Sequence, residues 1–373
     1  MIYLDNAATT KPSAYALEKA RKYNEEYFFN PSALYHGGIN VKNELKQSRD
    51  KILNFLSTTK HEVVFCSCGT EADNTALFGF IKRGTLITTE GEHSAVFKSA
   101  NELKARGHNV IFCKLLADGS VDENDLYEKV EKNKPSIVSV VHVNNETGAI
   151  NDITKISRKI KQLSPKTVFH SDGVQAFGKI KFALNKEVDL YSVSAHKIGG
   201  LKGVGALIKE KNLTLPPFIF GGGQENGLRS GTENVFGIKT FEYALEERAT
   251  DFVEKYKHVA ELKERAFNLL NKDDFIKISG ENSSPYILTV SAKGIRGEVV
   301  MHELEKYDII VGNGSACSSK NRYSRIVSAC GYGNDVLDGL IRISFSPDNT
   351  MEEVEYTAEK LNETINKLKK IML

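Results

Sequence analysis

SAHKIGGLKGVGAL (194–207) sits between two apolar runs of strand length, DLYSVSA (189–195) and GVGALI (203–208). An apolar strand ends at Ser194, and a small residue, a histidine, a lysine and several glycines follow. The same kind of run recurs upstream: EVVFC (62–66), TLITT (85–89), NVIFC (109–113), SIVSVVHV (136–143) and TVFHSD (167–172). Amphipathic helical stretches lie between them, such as SAVFKSANELKARG (94–107), with Gly107 at a C-terminal cap position. Strand–helix alternation of this kind predicts an α/β fold built on a mainly parallel sheet with helices on both faces. Ligands bind such sheets beyond the carboxyl ends of the strands. Lys197 falls at one of those ends, where it is either a surface-loop lysine or a desolvated amine able to form a Schiff base.

Other chemistry-bearing residues fall at the same edge. Asp172 ends TVFHSD, where it either caps the following helix or pairs with a protonated pyridinium nitrogen. Gly69 and Thr70, in SCGTEADN (67–74), open a helix after EVVFC, an ordinary capped start or a phosphate site of backbone N–H groups and a hydroxyl. His93, in GEHSAV (91–96), stands at a strand-to-helix junction, structural or functional.

Beyond about residue 235 the pattern changes. A long helical stretch (238–270) precedes YILTV (286–290), a helix near 297–306, DIIVG (308–312), LIRISF (340–345) and a final helix from 350. Thr350 and Glu353 are spaced as a capping box. Val354, Ala358, Leu361, Ile365 and Leu368 then line one helical face. The expected division is a large domain at 13–254 and a small C-terminal domain at 255–373, with residues 1–12 packing on the latter. Arg342, within LIRISF, needs an anion: a substrate carboxylate held bidentately, or a structural ion pair. Cys317, in GNGSACSSK (312–320), has small neighbours that leave its sulfur accessible, as a reactive or a passive thiol. Cys66, Cys68 and Cys113 read as small buried apolar side chains, and Cys330 as helix-end packing.

Composition narrows the function classes. The 373 residues carry 50 Lys+Arg against 48 Asp+Glu, a net charge of +2, which gives no support to direct nucleic-acid binding. There is no membrane-length apolar run and no apolar leader, so a cytoplasmic location with reduced thiols is expected. Cysteine spacing gives no metal site.

In this order, YLDNAATT, FFNPSALYHGG, SCGTEADN, GEHSAV, HVNNETGA, HSDGVQAFGK, SVSAHKIGGLKGVGAL, GGGQENGLRSGT, GSACSS and IRISF resemble the pyridoxal phosphate (PLP)-dependent class-V aminotransferase family, and within it the cysteine desulfurases. The resemblance spans nearly the whole chain and implies the fold type I architecture of PLP-dependent transferases. By the resemblance, Lys197 carries the cofactor as a Schiff base, Asp172 pairs with the ring nitrogen and Gln175 contacts the ring hydroxyl. His93 stacks on the ring and serves in proton transfer. Gly69, Thr70, Ser194 and His196 hold the phosphate, and Thr232 reaches that of a neighbouring subunit in a homodimer. Asn145 lies beside the cofactor. Arg342, with Asn30 as a second candidate, binds the carboxylate of L-cysteine, and Cys317 takes the sulfur as a persulfide.

The implied reaction converts L-cysteine to L-alanine and passes sulfur to an acceptor protein, either an iron–sulfur scaffold or a 4-thiouridine synthase. Two departures bear on the acceptor: the chain stops after its last amphipathic helix, and a basic run follows the cysteine in SACSSKNRYSR. An aminotransferase or selenocysteine lyase shares Lys197 and Asp172, but a transaminase needs no thiol in GSACSS. An inactive sulfur-relay protein would not need Lys197, Asp172, His93 and Cys317 together.

Overall fold

The computed structural model describes residues 1–81, 84–313 and 323–372; Cys317 lies outside them. Strands in chain order are β1 (Ile2–Leu4), β2 (His61–Cys66), β3 (Thr85–Thr89), β4 (Asn109–Cys113), β5 (Ile137–Ser139) and β6 (Val168–Asp172). They continue as β7 (Leu190–Ser194), β8 (Gly205–Glu210), β9 (Phe275–Lys277), β10 (Ile287–Ala292), β11 (Ile309–Val311) and β12 (Leu340–Ser344). Seven form one sheet in the order β2-β8-β7-β6-β5-β3-β4. All neighbours are parallel except β8, which runs antiparallel to both β2 and β7. The reason is length: parallel neighbours need a crossover of a dozen residues or more, and residues 195–204 are too few. The chain therefore turns straight back, and Lys197 sits inside the turn.

Every residue of β5, β6 and β7 is buried, as strands covered on both faces must be. One face packs Phe169, Tyr191 and Val193 against Leu45 and Ile52 of the helix His36–Phe55 and Leu56 at its C-terminal cap. The other packs Leu86, Val110 and Leu190 against Ala72, Ala76 and Leu77 of the helix Gly69–Phe80 and Val96 and Ala100 of Ser94–Ala105. The apolar run 136–143 is a strand only to Ser139. Beyond it Val140 and His142 donate to the carbonyls of His170 and Asp172, while the Val141 amide donates to the Glu92 carboxyl instead of a strand.

A second core lies around the antiparallel sheet β9-β10-β12 and the parallel pair β1–β11. The stretch expected as one helix over 238–270 is two, Val235–Ala249 and Phe252–Leu269. Thr250 is extended and Asp251 is left-handed (φ 50°), a conformation short polar side chains tolerate, and the chain bends there. The last helix, Met351–Met372, starts in the expected box: the Thr350 amide donates to the Glu353 carboxylate, and the Glu353 amide to the Thr350 hydroxyl, both at 3.2 Å.

The N-terminal segment touches both cores. β1 pairs with β11, the Ala7 amide donates to Ser344 Oγ (2.9 Å), and Asp5 pairs with Arg342 (2.8 Å). Three residues later the Thr10 amide donates to the His196 carbonyl (2.9 Å), and the Gly199 amide to Thr10 Oγ1 (2.8 Å).

Gly205 opens β8 where the strand passes the start of the helix Gly69–Phe80. A Cβ there would meet the Cys68 carbonyl carbon at 2.7 Å and the Val193 carbonyl oxygen at 2.8 Å, both backbone atoms. Gly205→Ala should therefore cost roughly 1–3 kcal/mol, read as a lower urea midpoint at unchanged slope. A wild-type midpoint would mean that β8 can step away from residue 68.

Candidate active site

The carboxyl ends of β6 and β7 and the start of the helix Gly69–Phe80 enclose a cavity of about 300 Å³. Lys197 ends the 3-10 turn Ala195–Lys197 that follows β7. Its ammonium donates to the carbonyls of Ala7 (2.6 Å) and Ala8 (2.7 Å). Ala7 O also accepts from Gln175 Nε2 (2.8 Å), and Gln175 Oε1 accepts from the buried Lys179 (2.9 Å). Burial drives the Lys179 pKa well down, with Lys197, Arg248 and Arg342 adding to the fall.

Asp172 closes β6 with its side chain buried, and one oxygen accepts from the Val174 amide (2.9 Å). Burial pushes its pKa up to about 6, with the nearby Asp73 adding to the rise. His93 caps the helix Ser94–Ala105: its Nδ1 accepts from the Ala95 amide (3.2 Å). Neutral His93 therefore carries its proton on Nε2. Burial lowers its pKa, and the Asp172 charge works the other way.

The helix Gly69–Phe80 begins after Cys68, whose side chain makes no capping bond, so its first-turn amides suit an anion. A Cβ at Gly69 would come within 2.6 Å of Val174 Cγ2, so only glycine lets this helix end approach the turn after β6. Ser194 and His196 face the same space. His196 Nδ1 pairs with Thr9 Oγ1 (3.0 Å), and burial pushes its pKa down to about 4.

Arg342 reaches in from β12 and is buried. Its Nη2 donates to Asp5 (2.8 Å) and its Nη1 to the Asn145 carbonyl (2.9 Å). Both sequence readings of this residue thus have a physical basis: it makes an ion pair, and it lines the cavity.

Among the described residues, seven buried side-chain polar atoms lack a hydrogen-bond partner, and four belong to residues lining this cavity: Asp73 Oδ1, Asn145 Oδ1, Ser194 Oγ and Arg342 Nε. Such atoms cost ~1–3 kcal/mol each unless something satisfies them, so their convergence marks a place built for a polar ligand. The donors and acceptors fit a phosphorylated pyridine: amides and hydroxyls at one end, a carboxylate at the other, a lysine between. Asp73, His93 and Asp172 also place one ligand atom each within 4.8 Å of one another, a grouping suited to a positive charge, although the sequence predicts no metal.

Ten expected residues thus meet at one cavity: Gly69, Thr70, His93, Asn145, Asp172, Gln175, Ser194, His196, Lys197 and Arg342. Asn30 and Thr232 do not. Asn30 is exposed and accepts from the Ser32 amide (2.9 Å). Thr232 is exposed in a loop that Arg229 ties to Glu71 (2.9 Å). Of the cysteines read as buried, Cys113 and Cys330 are, while Cys66 and Cys68 are half-buried, and Cys68 lines the cavity because it immediately precedes the helix.

Sequence reasoning missed Asp73, Glu146, Ala7 and Ala8, which also line it. Asp73 had a signal, since it follows Gly69 by four residues and so shares its helix face. Glu146, whose pKa burial pushes up to about 7, accepts from the Ser324 hydroxyl, a contact with no local signature.

A cysteine desulfurase of Nostoc sp. is 32% identical over 378 residues, covering 99% of this chain and 94% of its own. A NifS/IcsS protein homolog of Lactobacillus delbrueckii subsp. bulgaricus is 35% identical over 383 residues, covering 100% and 99%. The solved structure of a NifS-like protein superposes with a TM-score of 0.91 at 33% identity, covering 98% and 99%. The family model for class-V aminotransferases matches residues 2–357. With its lysine, aspartate and helix start gathered at one cavity, the chain belongs to the class-V aminotransferase family.

Proposed function

We propose that this chain is a PLP-dependent cysteine desulfurase: it converts L-cysteine to L-alanine and leaves the sulfur on Cys317 as a persulfide for an acceptor protein. The observation that carries this reading is the convergence of Lys197, Asp172 and His93 on a cavity whose own polar atoms remain unsatisfied. The family and the full-length relatives named cysteine desulfurase support it.

When bound, PLP supplies an electron sink for the carbanion formed at the substrate Cα. The first-turn amides at Gly69 and Thr70, with Ser194 and His196, hold its phosphate. Asp172 offers a carboxylate to the ring nitrogen, and Gln175 faces the ring hydroxyl. Lys197 would anchor the cofactor, and its free amine would take the Cα proton; the Ala7 and Ala8 carbonyls can hold the resulting ammonium. His93, capped through Nδ1, presents Nε2–H. Arg342 binds the substrate carboxylate, with the Nε–H that has no protein acceptor as the free donor. The Cys317 thiolate then attacks the substrate sulfur: an S–S bond forms, the Cβ–S bond breaks with its electron pair left on Cβ, and alanine departs once Cβ has taken up a proton and the Lys197 ammonium has returned one to Cα.

The rest of the reading follows the sequence. The units are 13–254 and 255–373, with 1–12 on the smaller. The active form is a cytoplasmic homodimer in which Thr232 reaches across to the partner. The acceptor is an iron–sulfur scaffold or a 4-thiouridine synthase. No helix among the described residues is long and apolar enough to cross a membrane.

Three variants test the assignment. Lys197→Ala should hold PLP only non-covalently, so that borohydride reduction and denaturation leave on the chain none of the pyridoxyl chromophore that the wild type keeps, and should turn over no cysteine; retained turnover removes Lys197 from its role. Arg342→Lys keeps the charge but loses the planar fork. It should raise KM for cysteine about tenfold or more at near-normal PLP occupancy, the loss of roughly 1.4 kcal/mol of binding; falling occupancy would make Arg342 a structural or cofactor residue. Cys317→Ser should retain PLP yet release no alanine, and mass spectrometry of the cysteine-treated wild type should find a persulfide on the Cys317 peptide alone. Undiminished alanine and sulfide release would point to a thiol-independent lyase.

A further inference from the structure

Beside Asp172 the cavity wall holds a second buried carboxyl, Asp73, that the reaction above does not use. Asp73, on the helix Gly69–Phe80, is 1% exposed, and Asp172, at the end of β6, is 4% exposed. Their carboxyl oxygens and a His93 ring nitrogen all lie within 4.8 Å of one another. Two carboxylates this close, out of water, cannot both be ionised unless a cation joins them.

The neighbouring imidazoles do not supply that cation. His170, two residues before Asp172, stands 3.5 Å from Asp73 Oδ1. Its Nδ1 meets Ser139 Oγ at 2.9 Å and its Nε2 meets Ser192 Oγ at 3.0 Å, and burial pushes its pKa down to about 4. His170 thus spends both ring nitrogens on hydroxyl groups and stays a neutral imidazole. His93, with Nδ1 engaged by the Ala95 amide, is neutral for the same reason of burial. From the same junction, Glu92 is fully buried, and burial, with Asp172 and Asp73 adding to the rise, pushes its pKa up to about 8, so it is a further acid beside the pair.

The two carboxyls are not equivalent. Asp172 receives the Val174 amide, a donor that favours a charged oxygen. Asp73 receives no such amide, and its buried Oδ1 has no hydrogen-bond partner. Burial raises Asp73 to about 7 and Asp172 to about 6, the same order.

We propose that Asp73 and Asp172 are a carboxyl dyad sharing one proton, with Asp73 as the positioning residue that keeps it, so that Asp172 meets a cationic ring nitrogen as a carboxylate. The proposal rests on the PLP reading for what occupies the site, but not for the proton count. When a cation arrives, any proton on Asp172 moves to Asp73, and the pair gains and loses none.

Infrared spectroscopy of the full-length chain at pH 7, stripped of cofactor and again after loading with PLP, tests this through the C=O stretch of protonated carboxylic acids. The wild type should show an aspartic-acid band, shifted by 13C-carboxyl aspartate labelling, that persists on loading. In folded Asp73→Asn protein the intensity of one acid group per chain should be lost. The Glu92 band, unshifted by the aspartate label, should remain. Absence of any label-shifted band in the wild type overturns the dyad, and because that spectrum needs no substitution it holds even if a variant misfolds. A band that survives in Asp73→Asn but vanishes in Asp172→Asn places the proton on the wrong partner and overturns it as well. Failure of PLP to bind would sink the cofactor reading while leaving the unloaded spectra as a test of the proton.

Discussion

The site depends on how the segment Asp5–Thr10 is held. Within six residues the chain bonds to β12 through the Ala7 amide, to Arg342 through Asp5, and to the turn after β7 through Thr10. The Ala7 and Ala8 carbonyls left over accept from Lys197 and Gln175. A carbonyl cannot swing as a side chain can, so these contacts fix the lysine's height above β7 as long as both cores hold the segment. Arg342 is held by the Asp5 side chain of the same strip, which makes Arg342 and Lys197 geometrically dependent on each other although one lies on β12 and the other in the turn after β7.

Much of this was legible in the sequence because its causes are local. The strand–helix alternation, the positions of Lys197, Asp172, His93 and Gly69 at strand or helix ends, and the capping box at Thr350 all depend on neighbours within a few residues. The reversal of β8 was not anticipated, since the periodicity of GVGALI says nothing about direction. Nor was the break at Asp251, because helical spacing of apolar residues continues on either side of one left-handed residue. Ala7 and Ala8 act through backbone atoms, which leave no mark in residue type. Asn30 and Thr232 lie on the surface of this chain, and any role they have needs something outside it.

Burial at the site works in one direction. Asp73, Glu92, Glu146 and Asp172 are all driven toward the neutral acid, and His142, His170 and His196 toward the neutral base. The fold therefore carries many ionisable groups there with little net charge, which keeps their desolvation cost low. A charged guest finds groups that can change protonation to match it. The unsatisfied atoms around the cavity are the part of that cost which remains, and stability given up at a binding surface is a common arrangement.

The reach of the N-terminal strip also sets an order of events. Asn6 bonds to the Ser344 carbonyl across 338 positions of sequence, and β1 finds its strand partner only at residues 309–311. The segment Ile2–Asn6, made before either sheet, is thus among the last to find its place. Until residue 344 has been made, β6, β7 and the lysine turn can fold, but without the carbonyls that seat the lysine. Contacts this far apart form slowly, so a nascent or truncated chain can carry every cofactor-facing side chain of the large sheet and still lack a finished site.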